Sequence, residues 1–163
     1  MKNKKGLLFI VFLLGGSFVA WSNNRKKLGA FNSPVKSSMI RGCDPSGCGY
    51  YGADRGSKKH NGIDIVSLPG ESVSAPISGI VRPLIVYDYS PLMKGIEITD
   101  GPVVMKIFYL ESSLKKGDLI KKGQKIGITQ DVAGFHSARP MVNHLHIEIY
   151  IHGILQDPTN YLR

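Results

Sequence analysis

The chain has 163 residues, of which 42% are hydrophobic and 20% charged, and this length allows one modest domain with a real hydrophobic core. The 21 basic and 12 acidic residues give a formal net charge of +9, which favours anionic partners such as sulfated glycans, anionic lipids or bacterial wall polymers. Nucleic acid is not expected among these partners, because aromatic residues are not interleaved with the charges.

The first 22 residues have the pattern of a secretory signal peptide. A basic start over residues 1–5 precedes an apolar run over residues 7–19, and residues 20–22 (Ala-Trp-Ser) form a small-x-small cleavage pattern. The run is short for a membrane span, so we predict a secreted, extracellular product without stable membrane insertion. The alternative is an uncleaved anchor. Removal of these residues would leave 18 basic against 12 acidic side chains.

Residues 23–39 are polar, basic and without periodicity, and we predict a flexible N-terminal segment there. The folded domain is predicted to span residues 40–163. It begins with a loop that contains Cys43 and Cys48, and a disulfide between them is expected in an oxidising compartment. The alternative is a thiolate metal site.

Beyond residue 60, short hydrophobic runs alternate with Gly and Pro turns, and helical periodicity is nearly absent. The pattern predicts strands over residues 63–66, 73–76, 79–81, 84–87, 95–99, 103–110, 117–120, 123–128 and 144–151. It also predicts a long loop over 129–142 and a helical turn within 157–162. The fold class is therefore mainly β, a compact antiparallel β-sheet domain.

The last of these strands carries an unusual polar face. Side chains alternate in a strand, so His144, His146 and Glu148 point one way while Leu145 and Ile147 point into the core. Such a face is a suitable floor for a metal site.

An earlier stretch offers further ligands. His60 and Asp64 are four residues apart, which places them on one face of an extended segment, and Gly62 between them allows close backbone approach. Two imidazoles and a carboxylate are a common zinc set with a fourth position open to water or substrate.

The order of several motifs resembles that of the lysostaphin-type zinc metallopeptidases. The motifs are His60-x-x-x-Asp64, Val73-x-Ala75-Pro76-x-x-Gly79-x-Val81, Gly117-Asp118 with Lys122-Gly123-Gln124, and His144-x-His146. The resemblance implies a barrel-sandwich hybrid-like β fold over the domain.

A closer resemblance covers nearly the whole mature chain and points to the leukocyte cell-derived chemotaxin 2 family, secreted relatives of those peptidases. It rests on Ile40-Arg41-x-Cys43-Asp44-x-x-Gly47-Cys48-Gly49, Lys106-x-Phe108-Tyr109, Ile120-Lys121-Lys122-Gly123 and Asp157-Pro158-Thr159-x-Tyr161-Leu162.

The resemblance implies roles for single residues. His60, Asp64 and His146 match the ligands of one zinc ion, and His144 matches the general base or proton shuttle of the active peptidases. Glu148 either accepts a hydrogen bond from an imidazole and fixes its tautomer, or is a surface charge.

The chain departs from the peptidases at Tyr109, which stands where they carry a further catalytic histidine. A phenol donates hydrogen bonds but is a poor proton acceptor at neutral pH. His136, in the predicted loop over residues 129–142, either compensates for the missing histidine or is a solvated loop residue.

The chain also departs from the chemotaxin family, which has three disulfides. Only the Cys43–Cys48 pair is present, and residues such as Ser67, Val104 and Tyr150 stand at the other positions.

Two functions remain open. The first is a secreted zinc-binding signalling protein that binds a cell-surface receptor or an anionic glycan and lacks peptidase activity. Its glycan contacts are Lys115, Lys116, Lys121, Lys122 and Lys125, which are otherwise ordinary turn lysines. The second is a secreted zinc metalloendopeptidase that cleaves peptidoglycan or glycine-rich peptides. The sequence predicts no oligomeric state.

Overall fold

The computed structural model describes residues 30–163, and its backbone is mainly β-strand, as predicted. Runs of β-branched residues between Gly, Pro and Asp turns form short strands. Within the described range the strands are β1 (Cys43–Asp44), β2 (Gly47–Cys48), β3 (Ile63–Val66), β4 (Ser72–Ser74), β5 (Gly79–Tyr87), β6 (Ser90–Asp100), β7 (Val103–Phe108), β8 (Leu110–Glu111), β9 (Leu119–Ile120), β10 (Lys125–Thr129), β11 (His144–Ile151) and β12 (Ile154–Gln156). A short helix α1 (Val132–Phe135) and a 3₁₀ turn (Pro158–Asn160) complete the elements.

The strands pair antiparallel in two main sheets, which confirms the predicted fold class. The larger sheet has seven strands in the order β12-β11-β7-β6-β5-β9, and β3 pairs with β11 along the same edge as β12. The smaller sheet has the order β4-β10-β8, and β1 and β2 form a separate hairpin. Strand β11 therefore has paired strands along both of its edges, which fixes the direction of its side chains.

The core lies against one face of β11. Leu145, Ile147 and Ile149 are fully buried there, and side chains from β3, β6 and β7 pack against them. Each such side chain stabilises the fold by about 1.5–3 kcal/mol through burial. The opposite face of β11 is left for the polar residues of the candidate site.

The strand predicted over residues 103–110 is shorter than expected. Strand β7 ends at Phe108 because Tyr109 has a left-handed backbone, with φ at 65°. Ile107 and Leu110 are both buried although they are three residues apart, so the two-residue alternation changes phase at Tyr109. A regular strand over residues 103–110 would place Leu110 on the same face as Phe108; this expectation is wrong, because the turn moves Leu110 into the smaller sheet.

The strands predicted at 79–81 and 84–87 are one continuous strand, β5. Pro83, which lies between the two predicted strands, is tolerated because β9 pairs only with Gly79 and Ile80. The edge of β5 beside Pro83 has no partner strand, so the missing N–H costs no ladder hydrogen bond.

The loop predicted over residues 129–142 contains the single-turn helix α1. Asp131 caps it by accepting a hydrogen bond from the Gly134 backbone N–H at 2.8 Å. Asn143 donates to Asp131 at 2.9 Å and accepts from the Ala133 backbone at 2.9 Å. These contacts fix the loop directly before β11.

A flexible segment was predicted over residues 23–39, and residues 30–39 of it are described. These residues pack against the domain: Phe31 and Val35 are buried in the core. The Phe31 N–H donates to the carbonyl of Tyr161 at 2.7 Å, and the Arg163 N–H donates to the Phe31 carbonyl at 3.0 Å. The two apolar side chains explain the difference, because their burial ties the segment to the C-terminal turn.

The signal peptide predicted over residues 1–22 lies outside the described residues. Between Ala30 and Arg163, none of the helices has the length and apolar character needed to cross a membrane.

Candidate metal centre

His60, Asp64 and His146 converge on one point. Asp64 in β3 and His146 in β11 are directly opposite each other in the antiparallel pair, and His60 precedes β3 by three residues. The Asp64 Oδ1 atom lies 2.9 Å from His146 Nδ1 and 3.2 Å from His60 Nε2, and the two ring nitrogens are 2.9 Å apart. These three ligand atoms, here called the metal group, can together hold a metal ion.

The close approach of this segment to β11 depends on Gly62, as predicted. A Cβ atom at this position would collide with the carbonyl oxygen of Ile147 and would lie 3.0 Å from Cε1 of His146. Glycine therefore allows His60 to reach the site.

The outward-facing nitrogens of both imidazoles have hydrogen-bond acceptors. His60 Nδ1 donates to the Tyr50 carbonyl at 2.8 Å, and His146 Nε2 lies 3.4 Å from Glu148 Oε1. Hydrogen bonds to these partners favour a proton on the outward nitrogen, so the inward nitrogen becomes the ligand atom once it gives up its own proton. The donor set of two imidazoles and one carboxylate therefore fits zinc better than calcium or magnesium.

Arg41 orients the Asp64 carboxylate, a role that the sequence did not reveal. It is 3% exposed, and its Nε and Nη2 atoms donate to Asp64 Oδ2 at 3.2 and 2.8 Å. Oδ1 is thereby turned toward the histidines. Burial alone would raise the pKa of Asp64, but hydrogen bonds from His146 and His60 hold it well below its usual range.

Glu148 is buried behind His146 and has three partners, so it is part of the site rather than a surface charge. Tyr150 donates its hydroxyl to Glu148 Oε2 at 2.8 Å, and Lys106 Nζ is 3.7 Å from the same oxygen. Burial would raise the pKa of Glu148, but hydrogen bonds from His146 and Tyr150 lower it to about 2. The Glu148 carboxylate is therefore charged. Burial lowers the pKa of the neighbouring His146, but its bonds to Asp64 and Glu148 raise that pKa overall.

His144 is oriented as a proton acceptor. Its Nδ1 donates to the Val142 carbonyl at 2.6 Å, so Nε2 is left free and lies 3.7 Å from Asp64 Oδ1. Burial lowers the pKa of His144 below its ordinary value, which favours the neutral imidazole. This is the protonation state that a general base requires.

Tyr109 lines the same cleft but is oriented by a different set of partners. Its ring meets the His144 ring edge-on with centroids 5.2 Å apart, and its hydroxyl is 2.9 Å from the Tyr87 hydroxyl. Burial raises the pKa of Tyr109, and Tyr87 raises it further. The Tyr87 hydroxyl in turn lies 2.8 Å from His136 Nε2.

Tyr87 was not predicted as a site residue, and His136 was predicted either to compensate for the missing histidine or to be a solvated loop residue. His136 does not line the cleft; it contacts the hydroxyl of Tyr87, whose ring stacks on Phe135 with centroids 5.8 Å apart. No sequence signal identifies this arrangement, because the partners come from β5, the β7–β8 junction and the loop before β11.

The site lies in a cleft of about 240 Å³. One wall is formed by residues 43–48 (the Cys turn) and another by the loop over residues 131–142. The Arg139 side chain donates to the Pro45 carbonyl at 2.8 Å, and Ser46 Oγ donates to the Arg139 carbonyl at 3.2 Å. Ser46 and Met141 line the cleft, so these bonds join the two segments at its rim.

The predicted disulfide is present between Cys43 and Cys48, which are opposite each other in the β1–β2 hairpin. Val104 and Tyr150, where the chemotaxin family has cysteines, are cross-strand partners of β7 and β11. Ser67, at another such position, is buried, and its hydroxyl has no hydrogen-bond partner among the described residues.

The structure brings together the predicted residues around the metal group and separates them from the predicted glycan contacts. All six predicted residues of the first set line the cleft: His60, Asp64, Tyr109, His144, His146 and Glu148. The five lysines are exposed outside it, at Lys115, Lys116, Lys121, Lys122 and Lys125.

Comparison with known proteins decides the family. Residues 58–158 match the family model described as peptidase family M23. The chain belongs to this family. Within M23, it resembles leukocyte cell-derived chemotaxin-2 of Bos taurus, with 35% identity over 130 residues that cover 77% of this chain and 81% of the relative. Myeloid protein 1 of Gallus gallus is 33% identical over 114 residues, which cover 67% of this chain and 34% of that protein.

Solved structures of M23 proteins confirm the lysostaphin-type fold. A zinc-containing peptidase from Vibrio cholerae superimposes with a TM-score of 0.57 at 25% identity, covering 79% of this chain and 39% of that one. Lysostaphin from Staphylococcus simulans gives a TM-score of 0.53 at 24% identity, covering 69% of this chain and 47% of that one. The chain thus spans less than half the length of these two proteins.

Proposed function

We propose that this M23 protein is a secreted, zinc-binding signalling protein without peptidase activity, which acts by binding a cell-surface receptor or an anionic glycan. The observation that carries the proposal is Tyr109, which occupies the cleft beside His144 where the family resemblance places a second catalytic imidazole. Similarity to chemotaxin-2 over most of the chain supports the signalling role.

Tyr109 is unsuited to proton transfer at neutral pH. Burial and Tyr87 raise the pKa of its phenol, and the Tyr87 hydroxyl engages its oxygen at 2.9 Å. Positioned acid–base groups contribute about 10²–10⁴-fold to rate, so loss of one imidazole at this position removes an effect of that size. His144 alone would then serve a site that lacks its partner.

One zinc ion would be held by His60, Asp64 and His146. It would act either as a Lewis acid or as a structural ion that links the segment before β3 to β11. The second role suits the fold, since His60 lies ahead of β3 and His146 lies in β11. Binding would replace the protons shared among the three ligand atoms, so zinc binding should release protons and stabilise the folded state.

The glycan surface consists of Lys115, Lys116, Lys121, Lys122 and Lys125. These residues flank β9, a strand of only two residues, so the two turns lie close together. All five side chains are exposed, and charges within about 8–10 Å act together at physiological salt. A sulfated polymer is the partner that such a surface favours.

Heparin chromatography tests this surface. The double variant Lys121→Glu, Lys122→Glu should elute at clearly lower salt than the unmodified protein. The variant Lys58→Glu, Lys59→Glu changes the net charge equally but at the cleft, and it should shift elution less. Equal shifts for both variants would show that only net charge matters and would remove the glycan surface from the proposal.

The second candidate function is a zinc metalloendopeptidase acting on peptidoglycan or glycine-rich peptides. It is favoured by His144, whose free Nε2 faces the ligand group, 3.7 Å from Asp64 Oδ1. The deciding experiment incubates zinc-loaded protein with peptidoglycan and with a pentaglycine peptide. We expect no cleavage. Cleavage that is lost with EDTA, and in a His144→Ala variant that keeps its zinc, would establish the peptidase instead.

A further inference from the structure

A hairpin over residues 53–60, here called the cationic hairpin, leads directly into the metal group. It is closed by hydrogen bonds from the His60 backbone to Ala53 at 2.8 Å and from the Arg55 backbone to the Lys58 carbonyl at 2.9 Å. Arg55, Lys58 and Lys59 line the cleft, and the last residue of the hairpin is the ligand His60.

Much of the other charge in the cleft is already neutralised. Arg41 is paired with Asp64 and with Asp44, and Glu148 lies near Lys106 and Tyr150. These groups therefore contribute little net field to the cleft.

The cationic hairpin differs in this respect. Lys59 pairs with Asp54 at 3.3 Å, but both side chains are about 70% exposed, so solvent weakens the pair. Lys58 is exposed and forms no ion pair among the described residues. Arg55 is ion-paired as well: its Nη2 lies 3.6 Å from Asp64 Oδ2, and its side chain also donates to the carbonyls of Ser46 and Cys48. The positive charge that the hairpin offers to a ligand therefore comes from Lys58 and, more weakly, from Lys59.

We propose that the cleft binds the carboxylate end of an acidic peptide. The terminal carboxylate would take the position left open by the three zinc ligands, and acidic side chains would lie along the cationic hairpin. This inference rests on the zinc site of the proposed function and adds the class of ligand that the site recognises.

Two features favour a peptide carboxylate over a sulfated sugar. Carboxylate oxygen is a regular ligand of zinc, which makes the metal position selective for it. Hydrogen bonds between the Cys turn and Arg139 join two of the segments that line the cleft, and this link favours a chain end over the middle of a polymer, which would have to pass it. The cleft of about 240 Å³ has room for only a few residues.

The test measures binding of a fluorescein-labelled Gly-Glu-Glu-Glu peptide to zinc-loaded protein by fluorescence anisotropy. The peptide with a free terminal carboxylate should bind about tenfold or more tightly than the same peptide with a terminal amide, because a charge-assisted contact is lost in the amide. EDTA should abolish this preference. Equal affinity of the two peptides for the zinc-loaded protein would overturn the proposal.

A matched pair of variants locates the site. Lys58→Glu should weaken binding by up to about fivefold, the upper range for an exposed ion pair, whereas Lys36→Glu makes the same charge change outside the cleft and should not. Equal effects of the two variants would contradict the assignment. Displacement of the peptide from the cleft by a heparin-derived tetrasaccharide as readily as by unlabelled peptide would assign the site to sulfated sugars instead.

The zinc content of each sample distinguishes failure of the zinc site from failure of the peptide site. A chain that retains no zinc refutes the zinc site of the proposed function. A zinc-loaded chain that does not distinguish the acid from the amide refutes only the peptide site.

Discussion

Replacing Glu148 with Gln tests whether the buried carboxylate behind His146 stabilises the site. The exchange keeps the size of the side chain and a neutral hydrogen bond to His146, but it removes the negative charge. We expect the zinc-free variant to be less stable than the unmodified protein at neutral pH, because Glu148 is only 8% exposed and its charge faces His146, Tyr150 and Lys106.

The magnitude follows from the pKa of Glu148. Burial alone would raise it, but hydrogen bonds from His146 and Tyr150 lower it from 4.5 to about 2. This difference corresponds to about 3 kcal/mol of folding free energy at neutral pH, as an upper limit. Because the folded-state pKa is depressed, the contribution is complete above pH 4.5, falls by about half near pH 3 and is lost near pH 2.

Urea unfolding of EDTA-treated protein, followed by far-ultraviolet circular dichroism at pH 7 and pH 3, measures this contribution. Glu111→Gln is the control: Glu111 is 47% exposed and forms its ion pair with Lys94, whose side chain is 43% exposed, so loss of this charge should cost less than about 1 kcal/mol. If Glu148→Gln lowers the free energy of unfolding by less than about 1 kcal/mol at pH 7, or by the same amount at both pH values, the Glu148 charge does not stabilise the site as described.

Two further results are expected. Gly62→Ala should destabilise the fold by about 1–3 kcal/mol in urea unfolding, because its Cβ would collide with the Ile147 carbonyl, whereas Gly42→Ala, with no atom within 4 Å, should not; equal stability of the two variants would show that β11 can move aside. Zinc retention during dialysis should decline as the pH falls from 7 to 5, because protons compete with the metal for His60 and His146; retention that is unchanged at pH 5 would argue against histidine ligands.

The sequence predicts the metal group well because local rules determine it. Alternation in a strand places His144, His146 and Glu148 on one face, and the four-residue spacing of His60 and Asp64 does the same on the neighbouring segment. The resemblance to M23 peptidases then brings the two segments together. The predicted disulfide is equally local, since its cysteines are five residues apart.

The remaining features depend on contacts between distant segments. Arg41 belongs to the predicted loop that contains Cys43 and Cys48, yet it is buried against Asp64, 23 residues away. Tyr109 is visible in the sequence, but its left-handed backbone and its bond to Tyr87 are not. The packing of Phe31 on Tyr161 is likewise invisible, because it joins the two ends of the described chain.

The most direct test of the central claim compares the unmodified protein with Tyr109→His in cleavage of a pentaglycine peptide, both loaded with zinc and both repeated with EDTA. We predict no cleavage by the unmodified protein and measurable, EDTA-sensitive cleavage by Tyr109→His, because the variant restores the second imidazole beside His144. EDTA-sensitive cleavage by the unmodified protein would contradict the account and make this chain a working peptidase.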